Sequence, residues 1–239
     1  MNSFLVSPID IQSDRLTLRN EEAHHCIRVL RMHEGEALMA INGEGTAFHS
    51  RIVSIAPRAV ECVIEERFPE LNEPARKIFL GLSLLKHSAK FDIVVEKAVE
   101  LGVAGIIPLH AEHTERQRGK VERWREITIS ATKQSLRCRI PLIVEPCSVA
   151  EACASQPFGA IAIAHERTAV TESFTKFLAS HRESDSLLIL IGPEGGFTEA
   201  ECLAVEHAGG SRVSLGTRRL RSETAAIVSV GLAGAFFEL

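Results

Sequence analysis

The chain has 239 residues, 27 Lys and Arg against 31 Asp and Glu for a formal charge of −4, and 45 % hydrophobic residues. At about 150 residues per domain this allows one large domain or two unequal ones, and the apolar content excludes wholesale disorder. The acidic balance argues against a general nucleic-acid coat while leaving room for a local basic patch.

Up to about residue 70, short apolar runs alternate with turns, and strands are expected at 3–6, 15–18, 37–41, 46–55 and 59–64. Asn42-Gly43 followed by Glu44-Gly45 marks a hairpin, because consecutive positive-φ positions favour Asn and Gly. A helix over 21–32, with Ala23, Ile27 and Leu30 on one face, interrupts the strands. Short strands with one helix predict a small β-barrel over residues 1–70. Pro69 and Pro74 then predict a linker over 68–74, since proline continues neither a helix nor a ladder.

From residue 75 onward the rhythm changes. The apolar run 78–84 fits a strand buried on both faces. Phe91, Val94, Val95, Ala98 and Leu101 recur at helical spacing, with Gly102 at the C′ position. Further strands are expected at 105–109, 142–145, 160–164, 187–191 and 212–215, with helices between them. Such alternation predicts an α/β domain over 75–239 with a parallel sheet and right-handed crossovers. No apolar run approaches the roughly 20 residues of a membrane span. Residues 1–8 have no secretory character, so the six scattered cysteines read as reduced thiols in a cytoplasmic protein.

Ligands of open parallel sheets bind beyond the carboxyl ends of the strands, and two loops there are unusual. The first, Ile191-Gly192-Pro193-Glu194-Gly195-Gly196-Phe197, follows the most apolar strand, and its glycines let a flat ligand approach the backbone. Thr198 and Glu201 form a capping box behind it. The spacing is neither Gly-x-Gly-x-x-Gly nor a Walker loop, which disfavours a phosphate cradle; an ordinary glycine-rich turn stays open beside a ligand loop. The second, from Leu215 to Ala226, carries Arg218, Arg219 and Arg221, then Ser222 as N-cap and Glu223 near the positive helix end. A solvated basic loop competes there with one wall of a shared pocket. His24-His25 and His110-x-x-His113 lack further ligands at convincing spacing, so no metal is expected. Trp124, Cys26 and Cys202 suit core packing, and Arg116, Arg118, Lys120, Arg123 and Arg125, interrupted by Glu122, suit a solvated helix face.

The first loop, together with Leu215-Gly216 and Leu220-Arg221-Ser222-Glu223-Thr224-Ala225, resembles the signature of RsmE, the ribosomal RNA small subunit methyltransferase E family of the SPOUT (trefoil-knotted) methyltransferases. His25-x-x-Arg28-Val29-Leu30-Arg31, Glu96-Lys97-x-x-Glu100-Leu101-Gly102-Val103 with Pro108-Leu109, and Gln134-Ser135-x-Arg137-x-Arg139-x-Pro141 extend the resemblance over nearly the whole chain. It implies a PUA-like barrel for RNA joined to a SPOUT-type parallel sheet with a C-terminal trefoil knot. It also implies S-adenosylmethionine as donor, a homodimer, and methylation of N3 of a uridine in 16S rRNA of the assembled 30S subunit (position 1498 in the usual bacterial numbering). An RNA-binding factor with an inactive methyltransferase domain is the alternative.

On the matching positions, Ile191, Gly192, Glu194, Gly195, Leu215, Gly216, Leu220, Ser222, Thr224 and Ala225 would hold the donor. Arg221 would stabilise charge developing on the pyrimidine, with Glu223 as a possible base. Arg28, Arg31, Arg51, Arg137 and Arg139 would bind RNA, the last two close to the catalytic loops. Three places depart from the family pattern. Asn2-Ser3 replaces an arginine before Phe4, Ala111-Glu112-His113 stands for Ser-Glu-Arg, and Lys133 stands for an acidic residue; these bear on RNA docking or packing more than on donor binding.

Overall fold

The computed structural model describes residues 3–115, 119–166, 168 and 172–238. Asn2, Arg116 and Arg118 therefore lie outside the described residues. The chain divides into two compact units, residues 1–73 with 129–140, and 74–128 with 141–239.

The first unit is one five-stranded sheet. Its elements are β1 (Ser3–Leu5), β2 (Arg15–Arg19), α1 (Asn20–His24), β3 (Ala37–Ile41), β4 (Thr46–Ala56) and β5 (Ala59–Pro69), with the strands in the order β1-β3-β4-β5-β2. β1 runs parallel to β3, and the other pairs are antiparallel. Period-2 alternation turns Leu16, Leu18, Phe48, Ile52, Val60 and Cys62 inward onto Phe4, Ala23 and Cys26. Register shifts at His49/Ser50 and Ile52/Ser54 bend the β4–β5 ribbon.

Three expectations need correction here. The helix expected over 21–32 is α1 followed by a π-helical turn, His25–Val29, stopped by Arg31 at φ 54°. The expected linker starts late, because Phe68 and Pro69 still pair with Ala47 and Thr46; at a strand end the missing proline N–H costs little. Residues 129–140, expected within the second domain, belong to the first unit. Glu73 holds them by accepting from Arg137 Nη2 at 2.6 Å and from the backbone N–H groups of Cys138 and Arg139 at 3.0 and 2.9 Å. The Arg137 and Glu73 side chains are only 3 % and 6 % exposed, so losing either one would strand a buried charge.

The second unit alternates strand and helix: β6 (Lys77–Ser83), α2 (Ser88–Glu100), β7 (Gly105–Leu109), α3 (Val121–Gln134, its last turns in the first unit), β8 (Leu142–Ile143), α4 (Val149–Ala154), β9 (Ala160–Ala164), α5 (Phe174–Ser180), β10 (Ser186–Ile191), α6 (Glu199–His207), β11 (Ser211–Val213) and α7 (Ser222–Glu238). All five strand pairings are parallel, in the order β11-β9-β10-β6-β7-β8. β6 and β10, the most apolar strands, lie at the centre. Gly81 is required there, since a Cβ would stand 2.6 Å from Leu190 Cδ2. α2 buries Phe91, Val94, Val95, Ala98 and Val99, while Leu101 is a partly exposed C-cap and Gly102 follows at φ 91°. Trp124 is core: its ring stacks on Phe91 at 4.2 Å, and Nε1 donates to Asp92 at 3.0 Å. All six cysteines are free thiols, and burial pushes Cys26 and Cys62 up to about 11 and 12.

Candidate active site

At the carboxyl ends of β9, β10 and β11 lies a cleft of about 880 Å³, a size suited to a small-molecule ligand. The two unusual loops both line it, joined by Ala164, His165 and Glu166 at the end of β9, by Lys90 of α2 and by His113 after β7. Ile191, Gly192, Glu194, Gly195, Leu215, Gly216, Leu220, Arg221, Ser222, Glu223 and Ala225 all line it. Thr224 does not: it is exposed on α7, because the helix turns its side chain away from the lining residues on either side of it.

Local chemistry explains the shape of each wall. In the glycine loop, Gly196 N–H closes a turn onto Pro193 C=O at 2.9 Å with φ 74°. Thr198 and Glu201 then cap α6 reciprocally, the Thr198 N–H donating to Glu201 Oε2 at 2.8 Å. In the second loop Gly216 sits at φ 117°, and a Cβ at Gly196 or Gly216 would meet nothing within 4 Å. Both positions line the cleft and leave open space where a side chain would stand. Gly195 is different, since its Cβ would stand 2.9 Å from His113 Cβ. There the missing side chain makes room for protein and not for a ligand.

The glycine loop is held from behind. His113 Nδ1 donates to the carbonyls of Gly195 and Gly196, each at 3.2 Å. Lys86 N–H donates to Glu194 Oε1 at 3.2 Å, and Glu112 N–H donates to Glu201 Oε1 at 2.9 Å. His113, which stands where the family pattern has arginine, thus holds a loop that lines the cleft.

At the start of α7, Ala225 N–H donates to Arg221 C=O at 2.8 Å, so Arg221 takes the cap position expected for Ser222. Glu223 Oε1 lies 2.8 Å from Lys90 Nζ. Burial pushes this carboxyl up, but the hydrogen bond from Lys90, its own backbone N–H and the Lys90 and Arg221 charges outweigh burial and hold it below the ordinary value of 4.5. Such a carboxylate is a weak proton acceptor. Lys90, in the first turn of α2, carried no sequence signal, whereas Arg218 and Arg219 were visible in the loop but not assigned.

The five arginines expected to bind RNA are all in the first unit. Arg28 and Arg31 are exposed on the π-turn and just after it; Arg51 pairs with Glu65 at 2.6 Å, and Arg139 pairs with Glu70. Arg137, expected among the RNA-binding residues, is instead buried on Glu73, where it orders the chain. Among the described residues, no His, Cys, Asp or Glu side chains gather into a metal site, and no helix is long and apolar enough to cross a membrane.

Residues 72–234 match the family model of an RNA methyltransferase domain, and residues 18–65 that of an RNA methyltransferase PUA domain. The chain is 30 % identical over 220 residues to the ribosomal RNA small subunit methyltransferase E of Buchnera aphidicola, covering 89 % of this chain and 85 % of that protein. It is 29 % identical to the Bacillus subtilis protein of the same name, with 92 % and 89 % covered. Among solved structures, the Neisseria gonorrhoeae ribosomal RNA small subunit methyltransferase E bound to S-adenosyl methionine superposes with a TM-score of 0.82 at 28 % identity, over 96 % of this chain and 95 % of that one.

Proposed function

Because the chain belongs to the ribosomal RNA small subunit methyltransferase E family, we propose that it transfers the methyl group of S-adenosylmethionine to N3 of a uridine in 16S rRNA, acting in the cytoplasm on the assembled small subunit. The observation that carries this reading is that the glycine loop and the Arg221 loop, some 20 residues apart in sequence, wall a single cleft. The donor supplies an electrophilic methyl carbon on a sulfonium. Ile191, Gly192, Leu215, Gly216 and Leu220 hold its adenosine part through backbone groups and apolar contact, beside the open space that a Cβ at Gly196 or Gly216 would fill. Positioning of this kind supplies several kcal/mol of the barrier reduction.

Uridine N3 gives up its imide proton to water and takes the methyl group as the carbon–sulfur bond breaks and the thioether leaves; Arg221, exposed on the cleft wall, is the cation for the charge that develops on O2 or O4. Glu223, committed to Lys90, fixes that lysine and does not take the proton. The first unit, with Arg28 and Arg31, holds the RNA, and the second unit carries out the transfer. We further read the C-terminal segment as the trefoil knot of SPOUT enzymes: the chain leaves β10, passes beyond β9 to β11, and returns as α7 onto β6, β10 and α2. A homodimer completes the reading, because α7 keeps Val228 and Leu232 outward, 39 % and 40 % exposed.

The test is mass spectrometry of nucleosides after reaction of the purified protein with small subunits and with naked 16S rRNA. The expected product is 3-methyluridine, formed on subunits. A different methylated nucleoside overturns the assignment, and RNA binding without methyl transfer would favour the inactive RNA-binding factor.

A further inference from the structure

The distribution of unpaired positive charge in the second unit points to a second binding feature beside the donor cleft. Four of the eight described arginines of this unit are neutralised: Arg76 by Asp185, Arg123 by Asp92, Arg125 by Glu122, and Arg212 by Glu199 and Glu206. Arg182 lies over the Phe236 ring at 5.8 Å. The loop 215–221 is the exception. Arg218 and Arg221 are exposed and have no ion-pair partner among the described residues, and both line the cleft. Arg219 meets Glu166 at 3.2 Å with the two side chains 77 % and 51 % exposed, an ion pair of almost no net worth in water. Glu166, Glu194, Glu199 and Glu223 also line the cleft, but three guanidinium groups within four residues concentrate positive charge on this one loop.

Arginine presents a planar fork of donors that matches a phosphate bidentately. A nucleotide entering the cleft brings a phosphodiester on either side of its ribose, so anionic oxygens would arrive at this loop. We propose that Arg218 and Arg219 grip the RNA phosphates flanking the target nucleotide, so that the methyltransferase unit itself helps hold the substrate. Phosphate takes the place of Glu166 on Arg219, and Arg221 is left to face the base. This inference rests on the RNA-methylating reading. It concerns two residues outside the expected RNA-binding set.

The other anion that could reach the loop is the donor's own carboxylate, and the experiment separates the two. Binding of the full chain to a labelled single-stranded 16S rRNA fragment is titrated over a salt series, and donor affinity is measured by calorimetry. In the double variant Arg218→Gln, Arg219→Gln, the slope of log K against log salt should become shallower by about 1.4, roughly 0.7 for each phosphate that is no longer neutralised. Lysine at both positions should restore most of the slope, Arg182→Gln should leave it unchanged, and donor affinity should stay at the wild-type level. An unchanged slope in the double variant overturns the proposal. So does a fall of about tenfold in donor affinity, which would place the guanidinium groups on the donor carboxylate. The slope is read without catalysis, so a wild-type protein that makes no 3-methyluridine would refute the proposed reaction and leave this measurement able to decide.

Discussion

Lys90 and Glu223 come from helices far apart in the chain, and their 2.8 Å contact beside the cleft is the clearest case of a pair that only the folded chain assembles. Glu223 has a lowered folded pKa, so its contribution to stability is present above the ordinary carboxylate range and is lost as pH falls through the folded value. Lys90→Met removes the stabilising partner. It should cost about 1 kcal/mol at neutral pH, and the difference from wild type should shrink as the carboxylate is protonated. Urea unfolding of both proteins at pH 7 and near pH 3 checks this; a difference that persists unchanged into acid would show that the lysine acts through packing. Arg137 teaches a related lesson. Its place in a basic, family-like stretch suggests RNA, yet Glu73 buries it, and no spacing rule reveals which arginines find an acid.

The α6 element shows how a local signal can serve a site. Thr198 and Glu201 spell a capping box, and the structure contains both of its reciprocal hydrogen bonds. The second oxygen of Glu201 accepts the Glu112 N–H from the segment after β7, so one carboxylate ends the glycine loop, starts a helix and ties two strand ends together. Thr198→Ala should lower stability by about 1 kcal/mol, read as a lower urea midpoint with an unchanged m-value; no shift would mean that the Glu201 side chain alone caps the helix. The π-turn at His25–Val29 is the opposite case. Its residues have helical spacing, and Cys26 within it is buried among the strands of the first unit, a packing that local spacing does not reveal.

For the molecule as a whole, α7 is apolar around nearly its entire circumference, which is the pattern of a helix covered on more than one side. Ala225, Ala226, Ser229, Val230, Ala233 and Gly234 face inward, and Val228 and Leu232, one turn apart, form the outward stripe. With a second copy as the cover, sedimentation at micromolar concentration should give about twice the 26.2 kDa chain mass. Leu232→Glu should sediment near the chain mass with its circular dichroism intact; a wild-type protein at the chain mass would remove the homodimer from the reading.

The sequence by itself determined the alternation of strand and helix, the continuous burial of β6 and β10, the hairpin at Asn42-Gly43, the α6 cap and the two loops of the cleft. Periodicity, turn chemistry and capping act over a few residues, and those few residues carry the whole signal. Only the tertiary structure decided that residues 129–140 join the first unit, that Arg137 is buried, that Thr224 faces away, that His113 holds the glycine loop and that Lys90 meets Glu223. Each of these depends on which distant charge or carbonyl comes within about 3 Å, and chain topology sets that distance where local pattern cannot.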